Sequence, residues 1–300
     1  MDAMTDAPQV RPHTSFSQIE TYRRCSMQWY FRYVKGVISP PSLPLARGKA
    51  GHAALEFNAR KKIATGQDAP LDEILDAFSD NYDNETAGVV LKEDESVGAT
   101  KDLTIETLRK YRTEVAPSRI PLKVEHAFDL EIPATEDYEY PIKVVNGRID
   151  LVEVDPTLGL PKAKNGNIPL QVADYKFVKY AKNQADVDAS WQLTLYDLVI
   201  TKDTGNAPTA LGFVSLREPT QRNAARVEEV RRSPEEMVPA QRKRRQDRLI
   251  HVMRTTQKSI DAGIFQPVDD PKTCGWCGYR DICQFSLAKS DWASIQKGAQ

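Results

Sequence analysis

The spacing of apolar residues changes once along the chain, near residue 120. Before that point, apolar and aromatic residues recur every three or four positions, as on the buried face of a helix. This spacing predicts a first helix that begins near Ser15 or Ser17, and further helices at about 46–65, 71–84 and 101–115. The N-terminal part of the chain is therefore expected to be helical.

After residue 120 the apolar residues alternate with polar ones, which is the period of a strand. Strands are predicted at about 122–132, 142–154, 168–178 and 209–216. A helix at about 187–201 precedes the last strand, and a long basic helix fills about 234–262. Strands interleaved with helices indicate an α/β fold with a mixed central sheet.

Two overlapping signals mark the start of the first helix. Ser15-x-x-Gln18 and Ser17-x-x-Glu20 both have the form of a capping box, in which two side chains satisfy the first backbone N–H groups. Cys25 is expected in the middle of this helix. Residues 1–14 precede the first periodic segment and are expected to be disordered.

The composition suits a soluble globular protein with no membrane partner. Hydrophobic residues make up 40% of the chain and charged residues 28%. No apolar run approaches the length of about 18 residues that a membrane span needs, and the first residues lack the apolar core of a signal peptide. The expected location is a reducing cytoplasm.

Charge is informative only locally. The net charge of −1 does not predict a nucleic-acid partner, whereas the run QRKRRQDR at 241–248 is either a solvated helix face or a set of phosphate contacts. The chain has no Gly-x-x-x-x-Gly-Lys-Ser/Thr loop, which excludes an ATP-driven motor of that type.

Two aspartates and a lysine lie in predicted strands among apolar residues. Asp174 and Lys176 are two positions apart, so their side chains share one face of a strand. If the strand that carries Asp150 pairs alongside, two carboxylates and an ammonium group converge. Such a set binds Mg²⁺ or Mn²⁺ and cleaves phosphodiesters in many enzymes, but an ordinary Asp–Lys ion pair has the same tripeptide.

Four short motifs in a fixed order carry a resemblance to a known family. They are Gly48-Lys49-Ala50-Gly51-His52, Gly147-Arg148-Ile149-Asp150, Asp174-Tyr175-Lys176 and Gln192-Leu193-Thr194-Leu195-Tyr196. Each is weak alone, but the ordered set resembles the PD-(D/E)XK nuclease superfamily, and more narrowly its RecB-like branch. The resemblance implies a restriction-endonuclease-like fold, with a mixed central sheet flanked by helices.

The resemblance implies a set of metal ligands. His52, Asp150 and Asp174 would bind the ion, with the main-chain carbonyl of Tyr175 as a further ligand. Glu125 occupies the place of an acidic residue that some members use, although it is equally readable as a surface strand residue.

The resemblance also implies catalytic roles. Lys176 would be the catalytic lysine, and Asp150 and Asp174 would act through the metal. Gln192 and Tyr196 share one helical face and would orient Lys176 or contact the DNA backbone. The proline that usually precedes the first aspartate is replaced by Ile149, a common departure in this superfamily.

The cysteines are clustered in an unusual way. Cys274, Cys277 and Cys283 follow a C-x₂-C-x₅-C pattern near the end of the chain, and Cys25 lies near its start. Structural disulfides are rare in a reducing cytosol, so ligation of a metal is favoured. Four thiolates suit either a zinc ion or a 4Fe–4S cluster.

The cysteine pattern resembles the iron–sulfur nucleases of the same branch, which include AddB-type recombination nucleases and CRISPR-associated exonucleases. The stretch from Ser15 to Cys25, S-x-S-x-I-x-x-Y-x-x-C, is part of this resemblance. It implies a 4Fe–4S cluster on Cys25, Cys274, Cys277 and Cys283. Such a cluster would be structural and would hold the two ends of the chain together.

Four segments are expected along the chain. They are a disordered N-terminus at 1–14, a helical region at 15–120 that carries Cys25 and His52, a nuclease core at 121–232, and a basic helix with a cluster-binding C-terminus at 233–300.

The expected function is that of a Mg²⁺- or Mn²⁺-dependent deoxyribonuclease, as an exonuclease on single-stranded DNA or single-stranded ends. Recombination, repair, or phage or CRISPR DNA processing would be its setting, with a helicase or annealing protein as partner. The alternative is a catalytically inactive DNA-binding or scaffold subunit with a four-cysteine metal site. The presence of Asp150, Asp174 and Lys176 together favours the enzyme.

Overall fold

The computed structural model describes residues 14–134, 142–158 and 168–288. The predicted disorder of residues 1–13 lies outside this part of the chain. Thr14, which was grouped with them, is buried and pairs with Val145 in a short parallel strand. The prediction of disorder was therefore wrong for Thr14. Its pairing with β3 depends on a segment remote in sequence, which the composition of residues 1–14 does not reveal.

The secondary structure follows the predicted order closely. The helices are α1 (Phe16–Arg24), α2 (Ser26–Trp29), α3 (Leu43–Thr65), α4 (Leu71–Thr86), α5 (Val97–Lys110), α6 (Gln184–Asp188), α7 (Trp191–Thr204), α8 (Pro239–Asp261) and α9 (Pro271–Gly275). The strands are β1 (Thr14–Ser15), β2 (Pro121–Ile132), β3 (Ile142–Val154), β4 (Leu170–Val178), β5 (Ala210–Arg217) and β6 (Arg226–Arg231). Short π turns continue α2 and α5 as far as Val34 and Val115.

The strands form one mixed sheet. Their order is β1-β3-β4-β5-β6, and β2 also pairs with β3. Strand β4 runs antiparallel to β3 and parallel to β5, and β6 closes the series antiparallel to β5. The mixed sheet with its helices confirms the predicted α/β fold. Strand β6 was not predicted, because its two valines are isolated among charged residues.

Several helix boundaries differ from the prediction for local reasons. The long basic helix begins at Pro239 rather than near 234, because Val238, which precedes that proline, is extended with φ −67° and ψ 147°. Helix α7 begins at Trp191 because the Ser190 side chain caps it, accepting a hydrogen bond from the Leu193 N–H at 3.2 Å.

Cys25 does not lie in the middle of a helix, as the sequence predicted. It is extended, with φ −164° and ψ 111°, and separates α1 from α2. Its N–H donates to the Thr21 carbonyl and its own carbonyl accepts from the Gln28 N–H, both at 3.0 Å. The interruption therefore leaves no backbone group of Cys25 unpaired, which explains why periodicity gave no sign of it.

The described residues form two compact units, each built from separate stretches of sequence. The smaller unit contains the residues up to Pro40, those between Asp129 and Gly147, and those from Ile250 on. The larger unit contains residues 41–128 and 148–249. The four linear segments expected from the sequence stay a prediction.

The core of the larger unit fixes which way the residues of β4 point. Ala173 and Tyr175 pack with buried residues of the neighbouring helices, such as Phe78 and Leu108. Asp174 lies between them and, by the alternation of a strand, points to the opposite face. The hydrophobic pattern of β4 therefore determines the face on which Asp174 lies.

Helix α3 approaches β4 very closely at one glycine. A Cβ atom added to Gly51 would lie 2.2 Å from the ring of Phe177, whereas one added to Gly48 would have no neighbour within 4 Å. Gly51 precedes His52, so this close approach also determines how near His52 comes to the sheet. Among the described residues, no helix combines the length and apolar character that crossing a bilayer demands.

The Gly51→Ala variant should be less stable than wild type by roughly 1–3 kcal/mol, because the Phe177 ring must move. Gly48→Ala, one turn earlier in the same helix, should be more stable by about 0.5–1 kcal/mol, since alanine favours a helix and nothing obstructs it. Urea unfolding followed by circular dichroism measures both. Equal midpoints for the two variants would contradict the close contact.

Candidate active site

The predicted site residues come together in the larger unit. Strand β3 supplies Asp150, strand β4 supplies Asp174 and Lys176, and helix α7 supplies Gln192 and Tyr196. Hydrogen bonds and an ion pair connect Asp174, Lys176, Gln192 and Tyr196 into one network, and Asp150 contacts the main chain of β4 beside it.

Asp174 is at the centre of this network. Its side chain is 1% exposed. One carboxylate oxygen, Oδ1, accepts hydrogen bonds from Gln192 Nε2 at 2.9 Å and from the Tyr196 hydroxyl at 3.3 Å. The other oxygen, Oδ2, lies 2.5 Å from Lys176 Nζ. Asp174 and Lys176 therefore lie on the same face of β4, as the sequence predicted.

Gln192 connects the lysine to the aspartate. Its Oε1 accepts a hydrogen bond from Lys176 Nζ at 3.2 Å, while its Nε2 donates to Asp174 and to the Tyr196 hydroxyl. The Tyr196 hydroxyl in turn donates to the main-chain carbonyl of Arg148 at 2.9 Å. The spacing of four residues places Gln192 and Tyr196 on one face of α7, so this helix fixes both strands at the site.

Asp150 lies at the point where the register of β3 and β4 ends, one position beyond the pair Leu151 and Ala173. Its Oδ2 accepts a hydrogen bond from the Tyr175 N–H at 2.8 Å. Burial, and then the nearby charge of Asp174, raise the pKa of Asp150 well above its usual range. Asp150 itself is half-buried, with 13% of its side chain exposed.

His52 approaches the same carboxyl group from helix α3. Its Nδ1 is 3.4 Å from Asp150 Oδ2. Burial is the largest influence on the pKa of His52 and lowers it, while Asp174 and a hydrogen bond with the Tyr175 main chain oppose that effect. A lowered pKa favours the neutral imidazole, which is the form that binds metal ions.

Glu125 is the third member of a possible metal site. Donor atoms of His52, Glu125 and Asp150 all lie within 4.8 Å of one another, the one such group of three among the described residues. Glu125 has a positive φ of 46°, which is uncommon for a residue other than glycine. Strained backbone of this kind is typical of functional positions.

The donor set fits a divalent cation. Two carboxylates suit Mg²⁺ or Mn²⁺, and an imidazole beside them suits Mn²⁺ better than Mg²⁺; a cation would also offset the burial and repulsion that raise the pKa of Asp150. Asp174, which was predicted as a ligand, lies outside the group of three and contacts Lys176 instead. The ligand roles of Asp174 and of the Tyr175 carbonyl remain predictions.

Sequence reasoning missed Arg47, which supports the site from α3. Its guanidinium donates to the Phe177 carbonyl at 2.8 Å and pairs with Glu218 at 2.5 Å. It therefore holds the end of β4 just beyond Lys176. One feature of the sequence could have identified Arg47: it is a charged residue between Ala46 and Ala50 on a helix face that is otherwise buried.

The basic residues of the loop after β4 and of the 241–248 run differ in their surroundings. Lys179 is exposed and Lys182 half-buried in the loop after β4. Within the 242–248 run, three residues are paired with acids: Arg242 with Asp197, Lys243 with Asp247 and Arg245 with Glu236. The run is therefore neither a uniform solvated face nor a uniform phosphate-binding surface.

The four cysteines line one cavity in the smaller unit. Burial is the main cause of the raised pKa of the Cys283 thiol, and the other three thiols raise it further. The Tyr279 N–H donates to Cys277 Sγ at 3.4 Å. All four thiols therefore line one shared space, which is the arrangement that a common ligand needs.

Comparison with known proteins gives one strong match. The family model for the PD-(D/E)XK nuclease superfamily matches residues 13–284. No curated protein sequence matches the chain. Among solved structures, the crystal structure of a protein called SSO0001 covers 91% of this chain and 99% of its own, at 12% identity and a TM-score of 0.35.

Millimolar Mn²⁺ should raise the stability of the wild-type protein, by about 2.7 kcal/mol when the ion is 100-fold above its Kd. Asp150→Asn should lose this increase, yet in EDTA should be at least as stable as wild type because it removes a half-buried charge that Asp174 repels. Thermal melting measures both effects. Glu106→Gln, at an exposed position on α5, serves as the control and should keep the full Mn²⁺ response; an undiminished response in Asp150→Asn would contradict the assignment.

Proposed function

The chain belongs to the PD-(D/E)XK nuclease superfamily, and from this premise we propose that it is a Mg²⁺- or Mn²⁺-dependent DNA exonuclease. The observation that carries the proposal is the contact of Asp174 with Lys176 and Gln192 beside the group formed by His52, Glu125 and Asp150. A nuclease needs a metal site and a positioned cation side by side, and these residues supply both.

His52, Glu125 and Asp150 would hold the cation, with Asp174 and the Tyr175 carbonyl completing its surroundings. A divalent cation, when bound, polarises the scissile phosphate and lowers the pKa of a coordinated water. The protein contributes a fixed set of ligands, because Asp150 is held by the Tyr175 N–H and His52 by the close approach of α3.

Lys176 would act on the phosphate and on the attacking water. Its side chain is 28% exposed, and its ammonium group is held between Asp174 and Gln192, so it can meet an approaching substrate in a fixed position. There it can orient the water and offset the negative charge that develops on the phosphate oxygens. Gln192 and Tyr196 would hold the side chains of Lys176 and Asp174 in position through their hydrogen bonds.

Asp174→Ala and Lys176→Ala should each lower DNA cleavage by roughly 100- to 1,000-fold or more, since each removes a group that acts in the transition state. Asp174→Asn preserves the contacts with Gln192 and Tyr196 and should be equally inactive with an unchanged fold. Release of labelled fragments in Mg²⁺ or Mn²⁺ measures cleavage, and circular dichroism checks the fold.

Asp102→Ala removes an exposed carboxylate on α5 and should cleave DNA like the wild type. Full metal-dependent cleavage by the Asp174→Asn protein would refute the assignment. Absence of cleavage by the wild type with either ion, together with retained DNA binding, would support the alternative of an inactive DNA-binding subunit. End-labelled single- and double-stranded substrates distinguish exonuclease from endonuclease products in the same assay.

We also propose a structural 4Fe–4S cluster on Cys25, Cys274, Cys277 and Cys283. One zinc ion with Zn–S bonds of about 2.3 Å would draw its four sulfurs to within about 4 Å of one another. In a 4Fe–4S cluster each thiolate can bind a different iron, so the sulfurs stand farther apart. The four thiols around one cavity support a shared ligand, and the resemblance of the C-x₂-C-x₅-C pattern with a distant Cys25 to the iron–sulfur nucleases favours the cluster over zinc.

Anaerobically purified protein should be brown, with broad visible absorption that Cys277→Ala loses or weakens strongly. The same variant should melt at a lower temperature, because the irregular chain around α9 depends on ligation for stability. Ser286→Ala, which alters the same cavity without removing a thiol, should keep the colour. A colourless wild-type protein that contains zinc would reject the iron–sulfur cluster.

The proposed setting is DNA recombination, repair, or phage or CRISPR DNA processing. A helicase or annealing protein that supplies single-stranded ends would complement an exonuclease of this type. Single-stranded DNA, or duplex DNA with single-stranded ends, is accordingly the proposed substrate.

A further inference from the structure

A cleft of about 370 Å³ lies in the larger unit at the N-terminal end of α7. It falls within the size range of pockets that bind small ligands. Its lining includes Trp191, Thr194, Arg244, Arg245 and Arg248. An aromatic ring and three guanidinium groups around one cleft are suited to a base and a phosphate.

Trp191 and Arg248 form the aromatic side of the cleft. The Arg248 guanidinium lies over the indole ring, 5.9 Å from its centroid. The indole is half-buried, which holds its orientation, and Arg248 is exposed. A planar pair of this kind offers a stacking surface that accepts any unpaired base.

The positive charge of the cleft is only partly neutralised. Glu236 also lines it and pairs with Arg245. Arg244 and Arg248 have no acidic partner within 4.0 Å in the described part of the chain. They are four residues apart on α8 and therefore lie on the same face of that helix.

A buried arginine adds to this charge beneath the N-terminal turn of α7. Arg232 is 4% exposed and donates to the Ser190 carbonyl at 2.7 Å and to Thr194 Oγ1 at 3.1 Å. Its Nε and Nη1 have no hydrogen-bond acceptor among the described residues. Thr194, its partner, lines the cleft, and the N-terminus of a helix itself attracts anions.

The cleft and the candidate active site both use the first turn of α7. Trp191 lines the cleft, and Gln192, the next residue, contacts both Lys176 and Asp174. Consecutive residues of a helix point in different directions, so the two sites lie at the same end of α7 on different faces.

We propose that this cleft binds one nucleotide of single-stranded DNA, with its base against Trp191 and Arg248 and its phosphate at Arg244 and the N-terminus of α7. The proposal rests on the proposed nuclease function and extends it to substrate choice. Only an unpaired base can present its face to Trp191, so the cleft selects single strands and holds the strand next to Lys176.

The first test is a titration of the full-length protein, in EDTA, with an oligothymidylate of about ten nucleotides. Wild-type tryptophan fluorescence should be quenched as the base stacks on Trp191. Trp191→Leu should bind roughly tenfold more weakly and lose most of the quenching, whereas Trp191→Phe should retain most of the affinity. Unchanged affinity and quenching in Trp191→Leu, or no quenching in wild type, would overturn the proposal.

The second test uses the salt dependence of binding, which counts phosphate contacts. Arg244→Gln should reduce the slope of log K against log salt by about 0.7, whereas Arg248→Gln, which removes the stacking partner of the base, should weaken binding with a smaller change of slope. Both side chains are exposed, so neither change threatens the fold. Lys202→Gln removes an exposed charge roughly 16 Å farther along α7 and should leave the slope unchanged. Equal slopes in all three variants would refute a localised site.

The two proposals fail in distinguishable ways, because binding in EDTA does not depend on catalysis. If DNA binding depends on Trp191 but the protein cleaves no DNA, the proposed binding cleft is supported and the proposed nuclease activity is refuted. Metal-dependent cleavage with cleft variants that bind like wild type would reject the cleft alone. Quenching by duplex DNA as strong as that by the single strand would also reject it.

Discussion

The ion pair between Asp174 and Lys176 is the interaction on which the site depends. A carboxylate that is 1% exposed is costly in free energy unless its charge is balanced. Lys176 supplies the opposite charge from two residues along the same strand, and Gln192 and Tyr196 supply hydrogen bonds from α7. If the sheet and α7 shifted relative to each other, the Asp174 carboxylate would become exposed to solvent or lose its hydrogen-bond and ion-pair partners.

The carboxylate of Asp150 adds a second negative charge that Lys176 does not balance. Asp150 is half-buried close to Asp174, and its raised pKa reflects burial first and repulsion second. One ammonium group does not balance these two carboxylates. Together with the strained backbone of Glu125, this imbalance indicates a site organised around a further positive charge, which agrees with the metal-dependent chemistry of the superfamily to which the chain belongs.

The sequence predicted most of the fold, because long amphipathic helices and alternating strands carry a strong periodic signal. It also predicted which charged residues meet, since Asp174 and Lys176 are linked by strand geometry and Gln192 and Tyr196 by helix geometry. It did not predict β6, whose valines are isolated, or the interruption at Cys25, where the backbone stays fully bonded. Nor did it identify Arg47 or the cleft beside Trp191, because these depend on packing between segments remote in sequence.

The discontinuous construction of the smaller unit has a consequence for biosynthesis. A ribosome releases Cys25 early, then the whole stretch that builds the larger unit, and only afterwards Cys274, Cys277 and Cys283. A ligand that requires all four thiols, such as the proposed cluster, could therefore bind only after the residues of the larger unit have been synthesised. Until then Cys25 is without the other three thiols of the cavity.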